Sequence, residues 1–210
     1  MADAYNPIPA TPVGIPPHQC VILPQLHEAK ILVEKYAQDI DYIHHVVHTP
    51  SLSAVLEDIY SALNGSRQVN LGHIILVLCI FASATYSWLE SDCQKRGLFS
   101  TPNEANSQST FWIRAAQDAL DIAYRTTFVS IEAIQGTIIL GFVLINGEEI
   151  SLRARSMFAL ALLMGRDLGL HRLDHPSNAG TAKSAQAEIG RRVWWYLVAA
   201  DWYISFFHDL

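Results

Sequence analysis

Residues 71–88, LGHIILVLCIFASATYSW, run without a formal charge, and apolar side chains fall on every side of any helix drawn through them. Such a stretch has two physical outlets. It crosses a membrane, for which it just reaches the length of roughly 17–25 residues, or it becomes the central helix of a bundle, covered all round by other helices. His73, Ser83, Thr85, Tyr86 and Ser87 lie inside it, and polar groups are costly in hydrocarbon. Its flanks carry no marked Lys/Arg bias. The pattern predicts a core helix over 70–91, and the rest of the chain must supply its cover.

That cover is legible as helical periodicity. Leu26, Ala29, Val33, Tyr36, Ile40, Ile43 and Val47 recur at steps of three and four, an apolar stripe on a helix over 25–47. Thr49 and Pro50 restart the chain as cap and first-turn residue. Leu52, Val55, Leu56, Ile59 and Leu63 mark a second stripe that Asn64-Gly65 stops. Further helices are predicted over 108–127, over 129–145 with a break at Asn146-Gly147, over 149–170 and over 185–208. In the helix over 149–170 the expected buried set is Leu152, Phe158, Ala159, Leu162, Leu163 and Leu170. No segment sustains the alternation of a strand between turn signals. The expected fold class is all-α, a packed array of about seven helices with short loops. Residues 1–23, with Pro7, Pro9, Pro12, Pro16 and Pro17, cannot sustain a helix and are expected to be a flexible arm ahead of a domain over 24–210.

Hydrophobic residues make up 50% of the chain and charged residues 16%, enough apolar surface for a real core. The net charge of −6 is wrong for gripping a phosphate backbone. Cys20, Cys79 and Cys93 offer neither a disulfide framework nor a C-x-x-C zinc spacing. The N-terminus has no basic region and no apolar core, so it does not read as a signal peptide.

Chemistry-bearing clusters are few. His44 and His48 are four apart and would share a helix face, but His45 stands where a zincin needs its Glu, and no third ligand is near. A helix end beside Thr49 is the simpler reading. G-x-S-x-G, G-x-G-x-x-G and a phosphate loop are absent. Gly165 and Gly169 permit close helix packing or, for Gly169, helix termination. Glu188 and Arg192 have the favourable acid-before-base order at i, i+4. Arg191 and Trp195 share a face on which a guanidinium can stack on an indole. Asp201 falls in the line of Trp194, Leu197 or Val198 and Ile204. In that setting a carboxylate needs a partner, and an arginine of the same cluster is the expected one.

The segment ARSMFALALLMGRDLGLHRLD, the polar loop after it, and AEIGRRVWWYLVAADWYIS together resemble the middle homology region of fungal zinc-cluster transcription factors. The matching positions are Gly169, Leu170, His171 and Arg172 at the turn, then Glu188, Arg191, Arg192, Trp194, Trp195 and Asp201 on the next helix. LPQLHEAKILVEKYAQDIDYIHHVVHTPSL resembles the entry helix of the same region, with His48 and Pro50 at its closing turn. The resemblance spans roughly residues 22–205.

The resemblance implies a nuclear transcription regulator without catalytic, cofactor or metal residues of its own. It implies pathway-specific control, secondary metabolism included, through protein partners: a full-length regulator or a second copy. A small molecule sensed in an internal cavity fits the same reading. The family's six-cysteine, two-zinc module and the basic linker after it are not in this sequence, so zinc and DNA contact belong to that module and no membrane is involved. The family region also normally continues past the Asp201 helix, so a fragment of a longer product or a short paralogue is expected. Two rivals follow. One is a helical pocket recruited as an enzyme, with Trp194, Trp195, Trp202 and Tyr203 around Asp201. The other is a truncated decoy that pairs with full-length regulators and blocks them.

Overall fold

The computed structural model describes residues 6–7, 20–178 and 183–208. Of the proline-rich segment 1–23, residues 1–5 and 8–19 lie outside the described residues; Asn6–Pro7 pairs antiparallel with Cys20–Val21 in a two-residue ladder. The remainder is helical: α1 (Leu26–Asp39), α2 (Asp41–His44), α3 (Leu52–Asn64), α4 (Leu71–Tyr86), α5 (Glu90–Arg96), α6 (Pro102–Arg125), α7 (Ile131–Glu148), α8 (Leu152–Asp167) and α9 (Ala185–His208).

The uncharged run is the centre of this array. Gly72 and every residue of α4 from Ile74 to Thr85 are buried, and α1, α6 and α7 supply most of the cover. Within α4, Thr85 Oγ1 bonds back to the Phe81 carbonyl at 2.7 Å, so a buried hydroxyl is satisfied without leaving the helix. α7 is long and apolar enough to cross a bilayer, yet 61% of it is already buried against protein. α8 and α9 then stack on the outer side of α7.

The helix boundaries depart from the periodicity in instructive ways. The stripe over 25–47 is interrupted at Ile40, whose φ of −129° leaves the helical region, and the short α2 ends when His45 turns left-handed with φ 51°. Thr49 does not cap; Thr49–Ser51 form a 3-10 turn with Pro50 in it, and α3 follows directly. α5 is an additional helix, turned 116° from α4. α6 starts at Pro102, where Thr101 Oγ1 accepts the Glu104 N–H at 3.2 Å. Asn146-Gly147 does not break α7, because Asn146 Nδ2 donates to the Phe142 carbonyl at 2.8 Å and the helix runs on to Glu148.

The expected buried face of α8 is also corrected. Ala154, Met157, Phe158, Ala161, Met164 and Gly165 face inward, while Leu152, Ala159 and Leu163 are exposed. The close contact is made by a large side chain of α8 on a small residue of α7: the Phe158 ring lies against Gly141.

Candidate functional site

The residues with the strongest sequence signature meet at the corner between α8 and α9. α8 ends at Asp167, and Gly169 takes φ 72° as the chain turns into a 3-10 helix over Leu170–Arg172. A left-handed φ is free for glycine and costs an L side chain about 1–2 kcal/mol. Gly169→Ala is therefore expected to lower stability by about 1 kcal/mol, read as a lower urea midpoint at unchanged slope.

Leu170 is the plug of this corner. It is buried, and its Cδ atoms reach toward Gly165 of α8 and Gly190 of α9. Gly190 has the tighter role: a Cβ there would lie 2.7 Å from Leu173 Cδ1. This glycine sits in the interior of a helix, where it costs about 1 kcal/mol relative to alanine; that cost was the available signal, and only the packed turn explains it. The His171 ring tilts over Trp194 at 5.7 Å between centroids. Asn178 Nδ2 donates to the Arg172 carbonyl at 2.8 Å, fastening the turn to the loop after it. Ser184 Oγ accepts the Ala187 N–H at 3.1 Å in the first turn of α9.

The charged members lie on the rim. Arg191 Nε donates to Asp174 Oδ1 at 2.8 Å and its Nη1 to Glu188 Oε2 at 3.2 Å; Arg192 Nε donates to Glu188 Oε1 at 3.2 Å. The hydrogen bond to Asp174 is the leading influence that raises the Arg191 pKa further. Arg191 thus ties α9 to the turn through Asp174, with Glu188 steadying it from within α9, while Trp195 points outward at 64% exposure. Asp201 is exposed as well, and it makes no ion pair to an arginine among the described residues. The buried line of α9 is Ala187, Gly190, Val193, Leu197 and Ile204; Asp201 lies one position beyond Ala200 on the outer side. Asp201→Ala is accordingly expected to change stability by no more than about 0.5 kcal/mol in a chemical melt. With Trp195 and Trp202 both on the surface, the aromatic pocket around Asp201 is not formed among the described residues.

The histidine pair is separated rather than joined. α2 stops at His44, so the i, i+4 geometry is lost. His48 Nδ1 meets Ser51 Oγ at 2.6 Å at the surface. His44 turns inward, edge-on to Phe142 at 4.9 Å and tilted against Tyr196 at 5.8 Å. Neither ring nitrogen has a partner among the described residues, and burial first, then the neighbouring His45 charge, pushes its pKa down to about 4.

Periodicity gave no view of a second polar cluster. Lys35 and Asp92 are both nearly inaccessible and meet at 2.7 Å. Lys35 also reaches Asp39 at 3.1 Å, and Arg96 bridges Asp39 at 3.1 Å and Asp92 at 3.2 Å. Two cations and two carboxylates close a ring that ties α5 to α1. Each i, i+4 half was visible in the sequence; the cross-pairing was not.

Cys79 is fully buried in α4, where burial raises its thiol pKa far above the usual range, and a neutral thiol is not a ligand. No group of three or more His, Cys, Asp or Glu side chains with metal-holding geometry occurs among the described residues.

Comparison with known proteins places these features. Residues 24–208 match the fungal specific transcription factor domain. The chain is 39% identical over 191 residues to the "Probable transcription factor lepB" of Aspergillus flavus, covering 88% of this chain and 34% of that protein. It is 29% identical to "Transcription factor TAS2" of Pyricularia oryzae, over 88% of this chain and 24% of the relative. It is 28% identical to the "Agnestins biosynthesis cluster transcription factor AgnL11" of Paecilomyces divaricatus, over 88% of this chain and 27% of the relative. The chain thus spans about a quarter to a third of the length of these curated relatives. No solved structure matches it.

Proposed function

The chain belongs to the fungal specific transcription factor domain family, and from that premise we infer that it is the regulatory region of a nuclear transcription regulator, built to contact protein partners rather than to catalyse. The match over 24–208 carries this reading. The relative named for a biosynthesis cluster supports control of a dedicated pathway, secondary metabolism included. The −6 net charge supports DNA contact, and with it the family's zinc, through a separate module of a full-length regulator.

The surface agrees with a partner role. α9 carries Trp195 at 64% and Trp202 at 83% exposure, seven residues and so about two turns apart on one side. Large aromatics at the surface supply contact area at low entropic cost and are the residues that dominate protein interfaces. The partner is a full-length regulator or a second copy. A small molecule sensed in an internal cavity of the helical array fits the same reading.

The test is transcriptional. Tethered to a heterologous DNA-binding module, the chain is expected to change reporter output, and Trp195→Ser with Trp202→Ser is expected to abolish that change while leaving the helical circular dichroism intact. A tethered chain that leaves the reporter unchanged in the native fungal host overturns the reading.

A further inference from the structure

We propose that the outer face of α9 is a dimer interface, on which a second copy of this chain seats its own α9 antiparallel. Arg192, Trp195, Ala199, Trp202 and Phe206 follow one another at steps of three and four, so they form one stripe along the helix. All five are exposed. The stripe lies on the opposite side of α9 from the buried Val193, Leu197 and Ile204. Alternating steps of three and four are the spacing with which one helix packs along another.

The order of residues in the stripe selects the occupant. Its N-terminal end carries a cation, its middle a small residue, and indoles stand on either side of that residue. Parallel pairing of two such stripes sets Arg192 against its own copy, where like charges repel, and Ala199 against its own copy, where a gap is left. Antiparallel pairing about a two-fold axis at Leu197 sets Trp195 opposite Ala199 of the second copy. The same axis sets Arg192 opposite Trp202 of the second copy. Both pairs share one midpoint, the self-complementarity that an isologous interface requires and that a foreign partner does not.

Each pair is favourable chemistry. A large ring against a methyl group lets the two helices approach and fills the space between them. Arg192 Nε donates to Glu188 Oε1 at 3.2 Å, and half of the arginine side chain stays exposed. The in-plane bond holds the guanidinium on the stripe and leaves its flat face for an indole. The size fits as well. An aromatic side chain buries roughly 150–250 Å², and Trp195, Trp202 and Phe206 are 64%, 83% and 66% exposed. These three supply about half of the roughly 800 Å² per partner of a standard interface.

This deepens the reading above by choosing its partner and the face that meets it, and it rests on that reading for biological meaning only. Dimerisation is measured on the purified chain by sedimentation, and the regulator role by the reporter, so the two fail separately. The chain is expected to dimerise with a Kd of about 1 μM. Two-fold symmetry makes every substitution count twice. Ala199→Glu sets a carboxylate against each Trp195 and is expected to weaken the dimer by about a hundredfold. Arg192→Gln removes two cation–π contacts and is expected to weaken it by about tenfold. Both positions are exposed, so circular dichroism is expected to stay unchanged. Ser205→Cys lies about 24 Å along the axis from its copy in the antiparallel pair, so the two introduced thiols are expected not to cross-link on oxidation. Should Ala199→Glu fail to fold, Arg192→Gln serves as the second variant. A chain that stays monomeric at about 100 μM, as a face reserved for a different protein requires, overturns the proposal. So does undiminished affinity in either folded variant, or a disulfide between the two introduced cysteines.

Discussion

Asp92→Ala will destabilise the chain by about 3–5 kcal/mol, the scale on which breaking a buried ion pair leaves an uncompensated charge behind. Lys35 is 3% exposed and Asp92 4%, so when Asp92 is removed two cations, Lys35 and Arg96, are left to share the single carboxylate of Asp39. The same carboxylate accepts the Leu89 N–H at 2.9 Å and opens α5, so the substitution also strips a helix start. Burial alone would raise the Asp92 pKa; the hydrogen bonds from Lys35 and the Leu89 N–H, the Lys35 charge and Arg96 reverse this and hold it below the usual carboxylate value of 3.8. A lowered carboxylate pKa gives stability that is present above the unfolded value and lost as pH falls through the folded one. Urea melts at neutral pH measure the loss. Lys35→Met combined with Asp92→Leu is expected to recover most of it, since apolar residues of similar volume replace buried ion pairs at little cost. A midpoint shift worth less than about 1 kcal/mol for Asp92→Ala would show the ring to be solvated.

Such a loss is a large share of the roughly 5–15 kcal/mol that holds a domain together, and it sits where the sequence was hardest to read. α4 was legible because an uncharged run has so few outlets, and α3 because Leu52, Leu56 and Ile59 of its stripe are the residues it buries. α5 had local signals: Glu90 and Asp92 in its first turn, Lys95 and Arg96 in its last, and Gly97 with φ 64° after it. With so few apolar positions it has no stripe, and its stability comes from the ring with α1 rather than from a buried face. The α8–α9 corner shows the same division. The Gly169 turn and the Glu188–Arg192 pair follow from local chemistry. The exposure of Trp195 and Asp201 depends on which stripe of α9 meets α8, and the small residues Gly190 and Val193 decide that in favour of close approach.

His44→Leu will flatten the acid limb of the stability curve. In the native chain the imidazole is buried against Phe142 and Tyr196 and titrates at about 4, against 6.5 when exposed. The folded state therefore prefers the neutral ring. Between pH 6.5 and 4 the unfolded chain binds a proton that the folded chain does not, so stability falls as pH falls, by roughly 3 kcal/mol across the window and about 2 by pH 5. Asp41, whose pKa is raised chiefly by burial, works in the opposite sense, and Asp92 loses its contribution only below 3.8; comparing variant and native chains at each pH cancels both. At pH 8 the leucine is expected to be neutral or to stabilise by about 1–2 kcal/mol, because two buried ring nitrogens without partners disappear. At pH 5 the advantage widens by about 2 kcal/mol. Urea melts at the two pH values read the difference directly. Parallel stability curves for the two proteins from pH 8 to pH 5 would mean that His44 reaches solvent or a proton acceptor in the folded chain, and the closed Phe142–Tyr196 cage would have to be given up.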